Sequence, residues 1–210
     1  MGRFTTYDDL MQQCEYFNKI GKICREEGFT YLYHNHQHEY RTFNGKSILD
    51  IIVENTDPNY LSLELDTFWT MRAGLNPVDM LKHFGKRIKL IHQKDFAWDS
   101  LAPINLNGLT PEDIASSAFA EIGTGIMPIQ SIIDAANTYT DAGYIILEQD
   151  FTRMSSEIDS VAKSMEAFKK FTGGNFSYFK IQLLSLQSYM MLDFLRGFLT
   201  FAFKLKSIVI

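Results

Sequence analysis

Cysteine, proline and runs of like charge are all scarce in this chain. Of its 210 residues, two are cysteines and five are prolines. Cys14 and Cys24 stand alone, with no CxxC or Cys/His spacing around them, which excludes a disulfide framework and a zinc knuckle and fits a reducing compartment. No dense stretch of Lys or Arg occurs and the formal net charge is -5, so no surface that tracks a phosphate backbone is expected and nucleic acid is excluded as a partner. The opening residues MGRFTTYDDLMQQ lack a basic segment followed by an apolar stretch; no secretory signal is read, and a cytoplasmic location is expected. What is present is 46% hydrophobic, 21% charged and 14% aromatic. That is the composition of a globular domain with a core, and it excludes disorder, collagen and coiled coil.

The chain divides into two compositions, residues 1–172 and 173–210. The second segment holds Lys180, Arg196, Lys204 and Lys206 against Asp193 alone, a net of +3 that leaves -8 for the first. Gly173 and Gly174 punctuate the change, and beyond them IQLLSLQSYMMLDFLRGFLTFAFKLK is apolar almost all round. A hydrophobic C-terminal helix is expected, docked on the domain or lying at an interface. Asp193 and Arg196 would fall inside a membrane span, which disfavours membrane contact through this tail. A tail foreign to the domain is the remaining alternative.

Residues 1–172 alternate short apolar runs with helical patterns, the sign of βα units and a parallel sheet. Four strands are expected, at Thr30–His36, Tyr60–Asp66, Arg87–Asp95 and Tyr144–Asp150. A helix is expected over Thr5–Glu27. Asn76 can cap another, with Pro77 in its first turn and Gly85 after its end, and Pro128 opens a third that Gly143 closes. Phe96–Glu121 reads as a long connection of the kind that covers a site.

Every strand runs from apolar residues into a polar end: HNH, ELD, HQKD and EQD. Side chains alternate faces along a strand. Even positions then share His34, His36, Glu64, Asp66, His92, Lys94, Glu148 and Asp150, while most odd neighbours are apolar or aromatic, as faces packed under helices are. In a closed parallel barrel the polar ends form the mouth of the active site. His34, Asp66, His92 and Glu148 would make one layer of two imidazoles and two carboxylates. That donor set suits Mn, Fe, Co or Zn better than Mg or Ca. Such an ion polarises a carbonyl and stabilises an enediolate while a base moves a proton, which makes sugars and polyols the natural substrates. One such residue alone is more often a plain polar strand end; four at matching positions reverse that weighting.

The segments YHNHQHEY, ELDTFWTMRAGLNPVDML, RIKLIHQKD and EIGTGIMPIQSII followed by IILEQD resemble the second half of the xylose isomerase-like sugar isomerase/epimerase family. The resemblance covers about residues 5–170. It implies an α/β fold of the (β/α)8 TIM-barrel type, present here as about four βα units, strands five to eight. It also implies a divalent-metal-dependent sugar or sugar-phosphate isomerase or epimerase, with metal ligands at His34, Asp66, His92 and Glu148. Many members have Glu at the first position. His34 there removes one of the two glutamates that the family's epimerases use as acid and base, leaving Glu148 as the expected base.

Other residues are open to two readings each. His36 is either a hydrogen-bond donor to substrate or a support for the metal shell. Lys94 either neutralises an enediolate or phosphate, or pairs with Asp95 or Asp150. Trp69 and Arg72, expected in a loop after Asp66, supply a sugar-stacking face and an anion contact, or pack as core. Glu64 lies one layer deeper and is expected to hold another lumen residue. Gly123–Gly125 reads as a turn.

A closed barrel needs eight strands in about 250 residues, and this chain has room for four. Three functional forms follow: a homodimer or complementing half barrel that restores the enzyme, a truncated non-catalytic remnant, or a keto-polyol dehydratase of the inosose dehydratase type, in which a histidine-rich strand end like HNH also occurs.

Overall fold

The computed structural model describes residues 4–98, 106 and 118–173, together with the backbone of 207–209. The first helix, α1 (Tyr7–Glu26), starts where a capping box fixes it: Thr6 Oγ1 accepts from Asp9 N, and the Asp9 carboxylate accepts from Thr6 N. Leu10, Cys14, Phe17, Gly21 and Cys24 recur at helical spacing and form its buried face. Gly28, with φ of 80°, turns the chain into β1 (Thr30–His34).

After a 3-10 turn at Gln37–Tyr40 comes a hairpin, β2 (Thr42–Phe43) and β3 (Lys46–Ser47). Asn44 and Gly45 join them at φ of 52° and 82°, the two positive values that a tight hairpin turn requires. The order continues α2 (Ile48–Glu54), β4 (Ser62–Asp66), α3 (Thr67–Arg72), α4 (Pro77–Phe84), β5 (Ile88–Gln93), β6 (Asp95–Phe96), β7 (Phe119–Ala120), α5 (Ile129–Tyr139), β8 (Tyr144–Leu147), α6 (Glu157–Phe168) and β9 (Ser207–Val209). Asn76 caps α4 by accepting from Val78 N, with Pro77 in the first turn and Gly85 beyond the end, as the sequence predicts.

The main sheet is parallel throughout, in the order β8-β5-β4-β1-β9. The odd side chains Tyr31, Tyr33, Leu61, Leu63, Leu65 and Ile91 join Leu10, Phe17, Ile48 and Ile132 from the helices in one buried cluster. Each such Leu or Ile contributes about 1.5–3 kcal/mol when fully buried. The apolar odd face is therefore what holds the sheet against its helices and leaves the even face for polar groups.

Three expectations are revised. The strands are shorter than predicted: β1 stops at His34 because His36 begins the 3-10 turn, and β8 stops at Leu147. Trp69 and Arg72 lie on α3 rather than in a loop. In the tail, Ser207–Val209 is extended and pairs with Thr30–Leu32 of β1; the rest of the expected tail helix, 174–206, lies outside the described residues. The connection 96–121 is tied at its base by the antiparallel pair β6·β7, and most of its middle also lies outside them. Among the described residues no helix is long and apolar enough to cross a membrane.

Candidate metal centre

The strand registers determine which polar residues meet. His34 is level with Glu64, Asp66 with His92, and Glu148 N donates to Gln93 O just past the end of the β5·β8 pairing. The expected layer of His34, Asp66, His92 and Glu148 is therefore a staircase. It rises by one pleat between β1 and β4, stays level to β5, and rises again to β8, as tilted strands in a barrel do.

The stagger inserts Glu64 between the two imidazoles. One Glu64 oxygen lies 3.3 Å from His34 Nδ1 and the other 3.0 Å from His92 Nε2. Asp66 Oδ2 is 3.6 Å from His34 Nε2 and 3.9 Å from His92 Nδ1, and Glu148 Oε2 is 3.0 Å from that same His92 nitrogen. Lys94 reaches into the cluster from β5's end, donating to Asp66 Oδ2 at 2.6 Å, pairing with Glu148 Oε2, and lying 3.7 Å from Asp150 Oδ2. Its expected alternative partner Asp95 points elsewhere.

These charges reshape one another. Burial opposes a charged His92, yet the carboxylates of Glu64 and Glu148 outweigh it and raise the ring to about 10. Burial likewise pushes Glu64 up, but His92 and His34 bring it down to about 2. Glu148 is held well below the carboxylate range because Lys94 and His92 overcome its burial. Asp150, taken up mainly by burial with Glu148 adding to the effect, lies at about 6. His36 is driven down to about 4 by burial and by the neighbouring His34, so it is neutral at physiological pH.

The chemistry of the donor set fits a divalent ion. Three carboxylates, Asp66, Glu148 and Asp150, surround the Lys94 ammonium, and a fourth, Glu64, lies between the His34 and His92 rings. His34 Nδ1, Glu64 Oε1 and His92 Nδ1 are buried without a hydrogen bond, although each is close enough to an opposing polar atom to make one. Buried polar atoms left in that condition are uncommon and call for a ligand. His34, Glu64 and His92, and separately Asp66, His92 and Glu148, each offer donor atoms within 4.8 Å of one another.

The other predicted residues sit around this cluster. The His36 ring lies 5.0 Å from that of His34 and 5.5 Å from Trp69, and it stacks on His38. Trp69 is buried between Phe68 and Phe119, with Lys94 Nζ 5.9 Å from its ring. Arg72 is buried with its guanidinium 5.3 Å from the Phe96 ring. Two supports escaped the sequence reading. Glu39 accepts from Tyr33 Oη and His36 N and has His38 Nε2 2.8 Å from its carboxylate, fixing the HNH segment. Asp95 accepts from Phe96, Gly123, Gly125 and Met127 backbone amides, fastening the Gly123–Gly125 turn beside the strand end. An acidic residue directly after a lumen lysine, with a glycine turn downstream, was the available signal.

Comparison with known proteins agrees with this architecture. Inosose dehydratase from Halalkalibacterium halodurans is 28% identical over 151 residues, spanning 69% of this chain and 48% of that protein. The Clostridium botulinum inosose dehydratase is 29% identical over 141 residues, or 63% of this chain and 45% of its own. The chain thus spans about half the length of the curated relatives it matches. A sugar phosphate isomerase/epimerase structure from Parabacteroides distasonis superposes with a TM-score of 0.62 at 24% identity, covering 79% of this chain and 54% of that one, and shows the shared fold. The profile of the xylose isomerase-like TIM barrel family matches residues 3–171, and this chain belongs to that family.

Proposed function

We propose that the chain supports divalent-metal-dependent isomerisation or epimerisation of a sugar or sugar phosphate, by removal of a proton beside a carbonyl and its return through an enediolate. The observation that carries this reading is the convergence of two imidazoles, four carboxylates and one ammonium at the carboxyl ends of adjacent parallel strands. Candidate ligands are the His34, Asp66, His92 and Glu148 set, with Glu64 interposed. A bound Mn, Co, Zn or Fe ion supplies Lewis acidity toward the substrate carbonyl.

The chain's own groups do the rest. Glu148 is the candidate base, and Lys94 beside it holds positive charge where an enediolate develops. Neutral His36 donates or accepts a hydrogen bond at a substrate hydroxyl. Trp69, next to His36, supplies an aromatic wall of the kind that sugars stack against. Arg72, in the last turn of the same helix, keeps the anion contact as its proposed role. Completion of the barrel, by a second copy or by a complementing half, is part of this proposal.

A second reading is dehydration of a keto-polyol. Two observations favour it: inosose dehydratases are among the relatives found by sequence, and Asp150, at about 6, can hold a proton near neutrality for a departing hydroxyl.

The test is proton NMR in deuterated water, with the metal-supplemented chain and a panel of ketoses and keto-polyols. Solvent deuterium entering beside the carbonyl supports proton abstraction. An epimeric or aldose product then supports the first reading, and an absorbing enone with loss of water the second. No exchange with any substrate, in protein shown by light scattering to be a metal-loaded dimer, sinks both and leaves a non-catalytic role.

A further inference from the structure

We propose that β9 is a displaceable plug: Ser207–Val209 holds the edge of β1 at which a second sheet must join to complete a barrel, so the tail regulates assembly of the site. This rests on barrel completion as proposed above and adds what controls it.

The sheet order β8-β5-β4-β1-β9 puts β9 beside the first strand. The pairing is parallel and in register, with Thr30 opposite Ser207, Tyr31 opposite Ile208 and Leu32 opposite Val209. Sequential strands are neighbours in a (β/α)8 barrel, so the side of β1 away from β4 is the seat of a strand that precedes α1. β9 takes that seat and runs in the direction that such a strand runs. A strand edge presents a row of backbone N–H and C=O groups that pairs with an added extended segment. Ile208 and Val209 are residue types that favour extension.

Reach and charge both favour the chain's own tail as the occupant. Gly173 lies against α5, where its carbonyl accepts from Asn137 Nδ2 at 3.1 Å, and α5 leads into β8 at the opposite end of the sheet. Crossing from β8 to β9 takes about 19 Å, and residues 174–206 can extend to roughly 110 Å. Residues 173–210 carry a net +3 against -8 for the rest, which draws the tail onto its own domain.

The hold is short. Three residues make a strand at the lower end of the usual range, and the pairing stops at Leu32, before the His34 end that carries the site. A longer strand from a second sheet pairs along more of β1 and replaces β9. While β9 stays, the sheet ends in β8 on one side and in β9 on the other, and closing a barrel needs the β1 edge as well as the β8 edge.

The experiment locks the plug. Thr30→Cys combined with Ser207→Cys joins the exposed first position of β1 to its register partner. Cα atoms opposite each other on neighbouring strands lie about 4.8 Å apart, inside the range that a disulfide spans. Cys14 and Cys24 are buried and stay out of the exchange. Light scattering over a concentration series is expected to give the mass of one chain throughout for the oxidised variant, and a rise to two chains for the reduced variant. Deletion of residues 207–210 is expected to lower the midpoint of dimerisation at least tenfold relative to the full chain. Failure of the intramolecular disulfide to form, equal masses in the two redox states, or an unchanged midpoint on deletion each overturns the plug. If circular dichroism shows that the deleted chain does not fold, the disulfide variant decides alone. Deuterium exchange into the ketose panel, measured on the same metal-supplemented samples, separates the two proposals. Exchange with equal masses leaves the function standing without the plug, and a reduced-state dimer without exchange leaves the plug without the function.

Discussion

Lys94 donates to Asp66 Oδ2 at 2.6 Å in an ion pair whose two side chains are both buried. Burial of the ammonium is offset by Asp66, Glu148 and Asp150, which together raise its pKa further. Removing one partner of such a pair leaves the other charge stranded. Lys94→Met is expected to cost about 3–5 kcal/mol in urea unfolding of the metal-free chain. A loss under about 1 kcal/mol, the range of solvent-screened pairs, would mean that water reaches this cluster.

Asp95 takes four backbone amides at once, from Phe96, Gly123, Gly125 and Met127, at 2.8–3.1 Å. An asparagine turns one acceptor oxygen into a donor facing those N–H groups. Asp95→Asn is therefore expected to lose roughly 2–4 kcal/mol, since hydrogen bonds to a charged acceptor are each worth about 1.5–3 kcal/mol and some geometry relaxes. Gly125→Ala tests the same contact from the other side, because a Cβ there would come within 2.3 Å of the Asp95 carboxylate and 2.4 Å of Phe96 O. Equal melting temperatures for wild type and both variants would show that the turn is not fastened here.

Glu121, directly after β7, accepts from Ser160 Oγ of α6 at 2.8 Å and from Thr152 Oγ1 in the loop before that helix at 2.5 Å. Burial pushes its pKa up, but these hydrogen bonds outweigh that and hold it below its ordinary value. With the folded-state pKa depressed, the stabilisation is fully present above the unfolded value of about 4.3 and disappears as pH falls through the folded value. Glu121→Gln cannot titrate, so its stability is expected to decline less steeply than the wild type's from about pH 5 downward. Parallel acid limbs in the two unfolding curves would remove Glu121 from the linkage.

The two kinds of information in this chain differ in how far they reach. Strand identity was local: alternation in TYLYH and SLELD, and the Asn76, Pro77 and Gly85 punctuation of α4, needed no knowledge of the rest. Parity then placed His34, Asp66, His92, Lys94 and Glu148 on one face, and they do converge. Register was not local. It depends on pairing between strands about 30 residues apart, including a shift between Leu63 and Glu64, and that shift is what lifts Glu64 between two imidazoles. Arg72 and Trp69 read as loop residues because Asp66, the last residue of β4, also caps α3 by accepting from Trp69 N. A strand passing directly into a helix leaves no turn residues to see.

Gly21 gives a case where local propensity and packing predict opposite signs. It lies inside α1, where replacing Gly by Ala stabilises an exposed helix by about 1 kcal/mol. Here a Cβ would lie 2.1 Å from the Tyr60 carbonyl oxygen, a backbone atom that cannot turn aside. Relieving that contact requires α1 to move off the segment that leads into β4, with an overpacking cost of roughly 1–3 kcal/mol. Gly21→Ala is thus expected to be net destabilising. Through Tyr60 it also disturbs the strand that carries Glu64 and Asp66, so Co²⁺ affinity should fall along with the melting temperature. Gly143→Ala serves as the control, since nothing lies within 4 Å of its Cβ position, and it should leave both unchanged. A stabilised Gly21→Ala would mean that α1 is free to shift and that the close seat on Tyr60 does not position the site.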